Sequence, residues 1–79
     1  MAALPLVVMI FSVLPKTVVI GEPGQVPGSL ALRALLESFA DREGKPIAFL
    51  SERAVSYDGH DWDVVIRKRD RVEVLLRLR

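Results

Sequence analysis

The last nine residues of the chain, RVEVLLRLR (Arg71 to Arg79), alternate between apolar and charged residues. A period of two predicts a β-strand with one face on a core. The positions expected to face inward are Val72, Val74, Leu76 and Leu78. Leu75 is expected to face outward, together with Glu73 and the arginines.

A helical period replaces this alternation between Ser29 and Gly44. Ser29 occupies the position of an N-cap, and Gly44 followed by Pro46 predicts the end of the helix. Residues spaced three or four apart form one apolar stripe, which predicts the buried face of the helix: Leu32, Leu35, Leu36 and Phe39.

Short apolar runs predict the remaining strands of the chain. Thr17 to Gly21, Pro46 to Leu50 and Ala54 to Tyr57 are each bounded by turn residues. Asp58 to Asp61 carries an Asp-Gly turn signal, and apolar residues from Trp62 to Ile66 follow it. A polar turn, Arg67 to Asp70, is expected to lead into the last strand.

The N-terminal segment MAALPLVVMIFSVLP is apolar enough to suggest export, but Pro5 and Pro15 interrupt it. A membrane-spanning helix needs about 20 apolar residues. A signal peptide usually has a basic residue before its apolar stretch, whereas Lys16 is the first basic residue here. Leu6 to Leu14 is therefore predicted to be a buried central strand that forms a hairpin with Thr17 to Gly21. A signal peptide is the alternative.

The order of these elements is two strands, one helix, and then two or three strands. One amphipathic helix on one face of a mixed sheet of four or five strands is an α+β architecture. Residues 1–79 are expected to form a single domain. The long first and last strands are expected to lie side by side and parallel at the centre of the sheet, which is the β-grasp arrangement.

Composition and charge narrow the possible functions. The chain has no cysteine, which excludes disulfides and thiolate metal sites and suits a cytoplasmic location. The net charge is only +1, but it is unevenly distributed. Residues 52–63 carry four acidic side chains and one basic, whereas residues 64–79 carry six basic and two acidic. Such a basic end can steer partners, or it can simply be a solvated surface.

Four stretches resemble the ubiquitin-like superfamily, particularly the small sulfur carriers of thiamine and molybdopterin biosynthesis. SLALRALLESFADREG resembles the carriers' single helix, AFLSERAV their short third strand and turn, and RKRDRVEVLL their step into the final strand. LLRLR is similar to the last strand of ubiquitin. The resemblance implies a β-grasp fold and a partner protein, an activating or sulfur-transfer enzyme among the candidates.

Carriers of this type act through a C-terminal tail that ends in two glycines, whose carboxylate an activating enzyme adenylates. This chain ends at Arg79 and has no glycine after Gly59. The resemblance therefore predicts a non-catalytic domain that acts through protein–protein contact, rather than a competent carrier. A sulfur carrier that has lost its terminal motif by truncation or processing is an alternative.

Catalytic and cofactor chemistry is not expected. His60 is the only histidine, and it lies with Asp58, Asp61 and Asp63 in a turn-prone stretch. These residue types can ligate a metal or transfer protons, but a solvated turn is the favoured interpretation. We therefore predict no enzymatic activity, no cofactor and no metal site.

The basic end of the chain supplies the candidate binding surface. An apolar Leu75 within a basic rim suits a modest protein interface. The predicted partner-binding residues are Arg69, Arg71, Glu73, Leu75, Arg77 and Arg79. Nucleic-acid binding through the same basic segment is the alternative, although the aromatic residues are not interleaved with it.

Overall fold

The computed structural model describes residues 16–79, which form one α-helix and a five-stranded antiparallel sheet. The helix is α1, Ser29–Glu43. The strands are β1 (Thr17–Gly21), β2 (Ile47–Ser51), β3 (Ala54–Tyr57), β4 (His60–Lys68) and β5 (Val72–Leu78), in the spatial order β1-β5-β4-β3-β2. This confirms the α+β class. The strand predicted at Leu6 to Leu14 lies outside the described residues.

The strand pairing differs from the predicted mixed sheet. Strands β2 to β5 follow one another as an antiparallel meander, and β1 pairs with the far side of β5, also antiparallel. The last strand therefore has antiparallel neighbours on both sides. The prediction that it lies beside a parallel strand is wrong, because β1 and β4 occupy both of its edges.

The two ends of α1 are capped in different ways. Gly44 has a left-handed backbone (φ 69°), and the Lys45 amide donates to the Ala40 carbonyl at 3.1 Å, as in a Schellman motif. The predicted C-terminal end is thus confirmed. Ser29, in contrast, is not the N-cap: Gly28 holds that position, and the Ser29 hydroxyl donates instead to the Glu52 carboxylate in the β2–β3 turn.

The turn between β3 and β4 is the one that the Asp-Gly signal predicts. Asp58 and Gly59 have φ angles of 53° and 76°, and positive values at both positions are what a type I′ hairpin turn requires. The strand after it is longer than expected. Arg67 and Lys68 still pair with Glu73 and Val72, so the polar turn spans residues 69–71 rather than starting at Arg67.

The core lies between one face of α1 and one face of the sheet. The stripe residues Leu32, Leu36 and Phe39 of α1 are buried in this core, while Leu35 is partly buried. Val74 and Leu76 are fully buried there, as the alternating pattern predicts, and Trp62 donates its indole N–H to the Tyr57 carbonyl at 2.9 Å. The members from the sheet are Ile20, Val55, Tyr57, Trp62, Val64, Val74 and Leu76.

Candidate protein-contact surface

The six residues predicted to bind a partner do not form one patch. Arg69 and Arg71 are exposed in the β4–β5 turn, whereas Arg77 and Arg79 lie at the other end of β5. Six residues of strand separate Arg71 from Arg77, about 20 Å at a rise of roughly 3.3 Å per residue. The structure therefore divides the predicted surface into two separate basic ends.

Leu75, the expected apolar centre of that surface, is buried. Only 1% of its surface is exposed, so the prediction that it faces outward to solvent is wrong. Leu75 does lie on the face of the sheet away from α1, since its neighbours Val74 and Leu76 point to the core. Because β5 is an interior strand, Leu75 has Val19 and Val65 directly opposite it in register.

Carboxylates partner several of the basic side chains in this region. Glu73 accepts from Arg67 at 2.8 Å and is largely buried, so it is not available to a partner. Arg79 pairs with Asp63 at 2.8 Å and Arg71 with Glu22 at 3.4 Å, both at exposed sites. Exposed pairs contribute little to stability, but they lower the local positive potential. The basic ridge expected for phosphate contact is correspondingly weaker.

A different surface combines exposed apolar area with a concave shape. We call it the α1–β2 groove, and it consists of two adjoining cavities between the helix and the edge strand β2. One, of about 330 Å³, lies at the helix N-terminus, and the other, of about 450 Å³, extends towards the helix C-terminus. Arg33 and Phe49 line both cavities, so they mark the middle of the groove.

Arg33 is held over the ring of Phe49. Its guanidinium carbon lies 4.3 Å from the ring centroid, and its Nε donates to Glu37 at 3.2 Å. Stacking of this kind contributes about 0.5–1 kcal/mol at an exposed site. Next to Arg33, Leu30 is 86% exposed at the rim of the groove. An apolar side chain so open to water is where an interface would gain most from burial.

Strand β2 also has an unpaired edge within the described residues, since β3 is its one neighbour in the sheet. The Val64 amide donates to the Arg53 carbonyl at 2.8 Å, which sets the alternation of the ladder. By that alternation the backbone groups of Val55 and Tyr57 form hydrogen bonds with β4, while those of Ser56 form hydrogen bonds with Ala48 in β2. The backbone N–H and C=O groups of Ile47 and Phe49 therefore point away from β3, towards the free edge.

An ion pair and a buried hydroxyl lie just before His60. Asp58 pairs with Lys45 at 3.2 Å, and this hydrogen bond and charge raise the pKa of Lys45. Burial raises the pKa of the neighbouring Tyr57 hydroxyl. Within residues 16–79 no three His, Asp or Glu side chains come together as a possible metal site. The predicted turn over residues 58–61 is confirmed only for Asp58 and Gly59, because β4 already begins at His60 and includes Asp61 and Asp63.

Comparison of the chain with protein-family models, with curated proteins and with solved structures found no match. In the described part of the chain, no helix is long and apolar enough to cross a membrane.

The α1–β2 groove was missed by reasoning from the sequence, although two signals for it exist. The stretch PIAFLS (Pro46 to Ser51) contains no charged residue, which is unusual for an edge strand. Leu30 lies one or two positions off the apolar stripe, so it cannot point to the same core. Neither signal identifies a groove until it is known that β2 lies at the edge beside the helix.

Proposed function

We propose that this domain is a non-catalytic protein-binding module, and that it adds an extended segment of a partner protein to the free edge of β2. The observation that carries the proposal is the outward-facing backbone of Ile47 and Phe49 beside the α1–β2 groove. Strand addition takes its affinity from main-chain hydrogen bonds and its specificity from pockets for alternate side chains. Both components are present at this edge.

The groove adds side-chain contacts to those of the backbone. Alternate residues of an added strand lie about 7 Å apart on the helix side of the sheet. Two such residues can enter the cavities on either side of Arg33, one of them next to the exposed Leu30. An apolar residue in the N-terminal cavity and an acidic residue near Arg33 would suit this lining.

The resemblance to ubiquitin-like sulfur carriers remains a proposal about origin and partner. One helix packed on an antiparallel sheet supports it only as far as the α+β class. The antiparallel neighbours of β5 do not supply the parallel pair that a β-grasp requires. Binding at β2 does not depend on this relationship.

Selection from a phage-displayed library of linear peptides tests the proposed function. The biotinylated domain is used at nanomolar concentration, and selected peptides are then measured against variants. Leu30→Asp places a charge at the groove rim and should weaken binding about tenfold, since a central apolar contact is worth 1 kcal/mol or more. Val26→Asp, which charges an exposed apolar residue outside the groove, should change binding by less than about twofold.

Substitutions on β5 separate this surface from the one that the sequence predicts. Arg69→Ser and Arg77→Ser alter the two ends of that surface without touching the groove. Peptides that lose affinity with these variants, but bind Leu30→Asp normally, would move the site to β5. Failure to enrich any peptide would refute strand addition.

A further inference from the structure

We infer that the partner at the β2 edge is a second copy of this chain, joined by antiparallel pairing of the two β2 strands about Ala48. The inference rests on the strand addition proposed above and names its occupant. It follows from three features of this edge: the spacing of its outward backbone groups, the side chains around Ala48, and the charges on the nearby helix face.

The outward backbone groups of β2 are self-complementary. Ile47 and Phe49 are two residues apart, and each offers one N–H and one C=O to the free edge. When two such strands meet antiparallel with Ala48 opposite Ala48, Ile47 of one copy faces Phe49 of the other as a hydrogen-bonded pair. Both pairs form at once, giving about four main-chain hydrogen bonds around a two-fold axis.

The bounds of the regular strand restrict pairing to this short register. Strand β2 begins at Ile47, and its pairing with β3 becomes irregular between Phe49 and Ser51. A bulge is one of the usual devices that prevent a strand edge from pairing further. The regular segment is therefore Ile47 to Phe49, with Ala48 at its centre.

The side chains on both faces are compatible with a two-fold contact. Ile47 and Phe49 are half-buried on the helix side. In the dimer, Ile47 of one copy would face Phe49 of the other, and both side chains would lose their remaining exposure. Ala48 is exposed on the opposite face, and its methyl group is small enough to lie against itself, about 5 Å away. The absence of charge from Pro46 to Ser51 removes the like-charge repulsion that would oppose self-pairing.

The helix contributes complementary charges. The two-fold axis is perpendicular to the sheet, so both copies of α1 lie on the same side and run antiparallel. Arg33 and Glu37 are exposed beside the groove and separated by one turn. In the antiparallel arrangement Arg33 of one copy faces Glu37 of the other, so the pair within each helix can be extended across the interface.

Sedimentation equilibrium of the full chain, at concentrations up to about 1 mM, tests the inference, since even a weak dimer is measurable there. The wild-type protein should form a dimer. Ala48→Lys and Ala48→Glu each place two like charges opposite one another, and each should weaken the dimer about tenfold or more. An equimolar mixture of the two variants should dimerise again, because lysine then faces glutamate.

Ala31→Lys is the matched control. It introduces the same charge at an exposed alanine of α1 that does not line the groove, and it should leave the dimer constant within about twofold. Far-UV circular dichroism confirms that each variant is folded. Recovery of the dimer in the mixture also shows that both variants retain the native edge.

Three results would overturn the inference. A monomeric wild type, equal loss with Ala31→Lys, or failure of the lysine and glutamate variants to recombine would show that Ala48 is not at a two-fold contact. A monomeric domain that still binds selected peptides would refute the second copy and retain the proposed function. Loss of peptide binding alone, with the dimer intact, would assign this edge to self-association only.

Discussion

Replacing Leu75 by alanine should destabilise the domain by about 2–4 kcal/mol. The structure leaves 1% of Leu75 exposed, so truncation removes roughly three buried carbon atoms, each contributing about 0.8 kcal/mol, and also leaves a cavity. If Leu75 faced solvent, as the alternating pattern predicts, the same change would cost less than about 0.5 kcal/mol. The two interpretations therefore differ several-fold in a single measurement.

Urea unfolding followed by tryptophan fluorescence provides the assay. Trp62 is the only tryptophan and is 2% exposed, so its emission reports loss of the core. For a domain of this size the free energy of unfolding decreases by about 1 kcal/mol per molar urea. The urea concentration at the midpoint of unfolding should therefore fall by about 2–4 M.

Two further variants keep the measurement interpretable. Leu75→Val should cost only about 1 kcal/mol and stays measurable if the alanine variant does not fold. Val19→Ala, at the 50%-exposed residue opposite Leu75, should cost less than about 1 kcal/mol. Equal and small costs for Leu75→Ala and Val19→Ala would refute the burial argued above.

Two other substitutions test the β3–β4 hairpin. Gly59→Ala should cost about 1 kcal/mol in the same urea assay, because φ is 76° there and an added Cβ meets no atom, so the whole cost is backbone strain. Gly24→Ala, in open space without a positive φ, should be nearly neutral, and an equal cost at both sites would contradict this explanation. For Tyr57, the folded-state pKa is raised by burial above the unfolded value of about 10, so its contribution to stability is present below that pH and lost as pH rises through the folded value. The free energy of unfolding should therefore fall more steeply above about pH 10 in the wild type than in Tyr57→Phe. Near-ultraviolet titration of Tyr57, the only tyrosine of the chain, should show the raised pKa. An equal pH dependence in the two proteins, together with an ordinary pKa, would argue against burial of the hydroxyl.

The parts of the fold that could be predicted are those set by local chemistry. The stripe of Leu32, Leu36 and Phe39 predicts the buried face of α1, because a helix places residues three and four apart on one side. Gly44 predicts the helix end and Asp58-Gly59 the hairpin turn, because few residues accept a left-handed backbone. The structure confirms each of these features.

The candidate site was harder to predict from the sequence, since it depends on which strands are neighbours. The predicted surface on β5 assumed that alternate residues of the last strand face water. Glu73 instead pairs with Arg67 across the sheet, and Leu75 lies between Val19 and Val65. No local pattern reveals that Val19 and Leu75 are cross-strand partners, because Val19 lies 56 residues before Leu75 in the chain.

By itself, the sequence determined the helix, the turns, most strand positions and the α+β class of this protein. The tertiary structure alone decided that β5 is interior, that its neighbours are antiparallel and that, within residues 16–79, β2 has a free edge beside α1. The physical reason is that side-chain periodicity records which face of a strand meets a core. The hydrogen bonds that choose a strand's neighbours belong to the backbone, which is the same at every residue except proline.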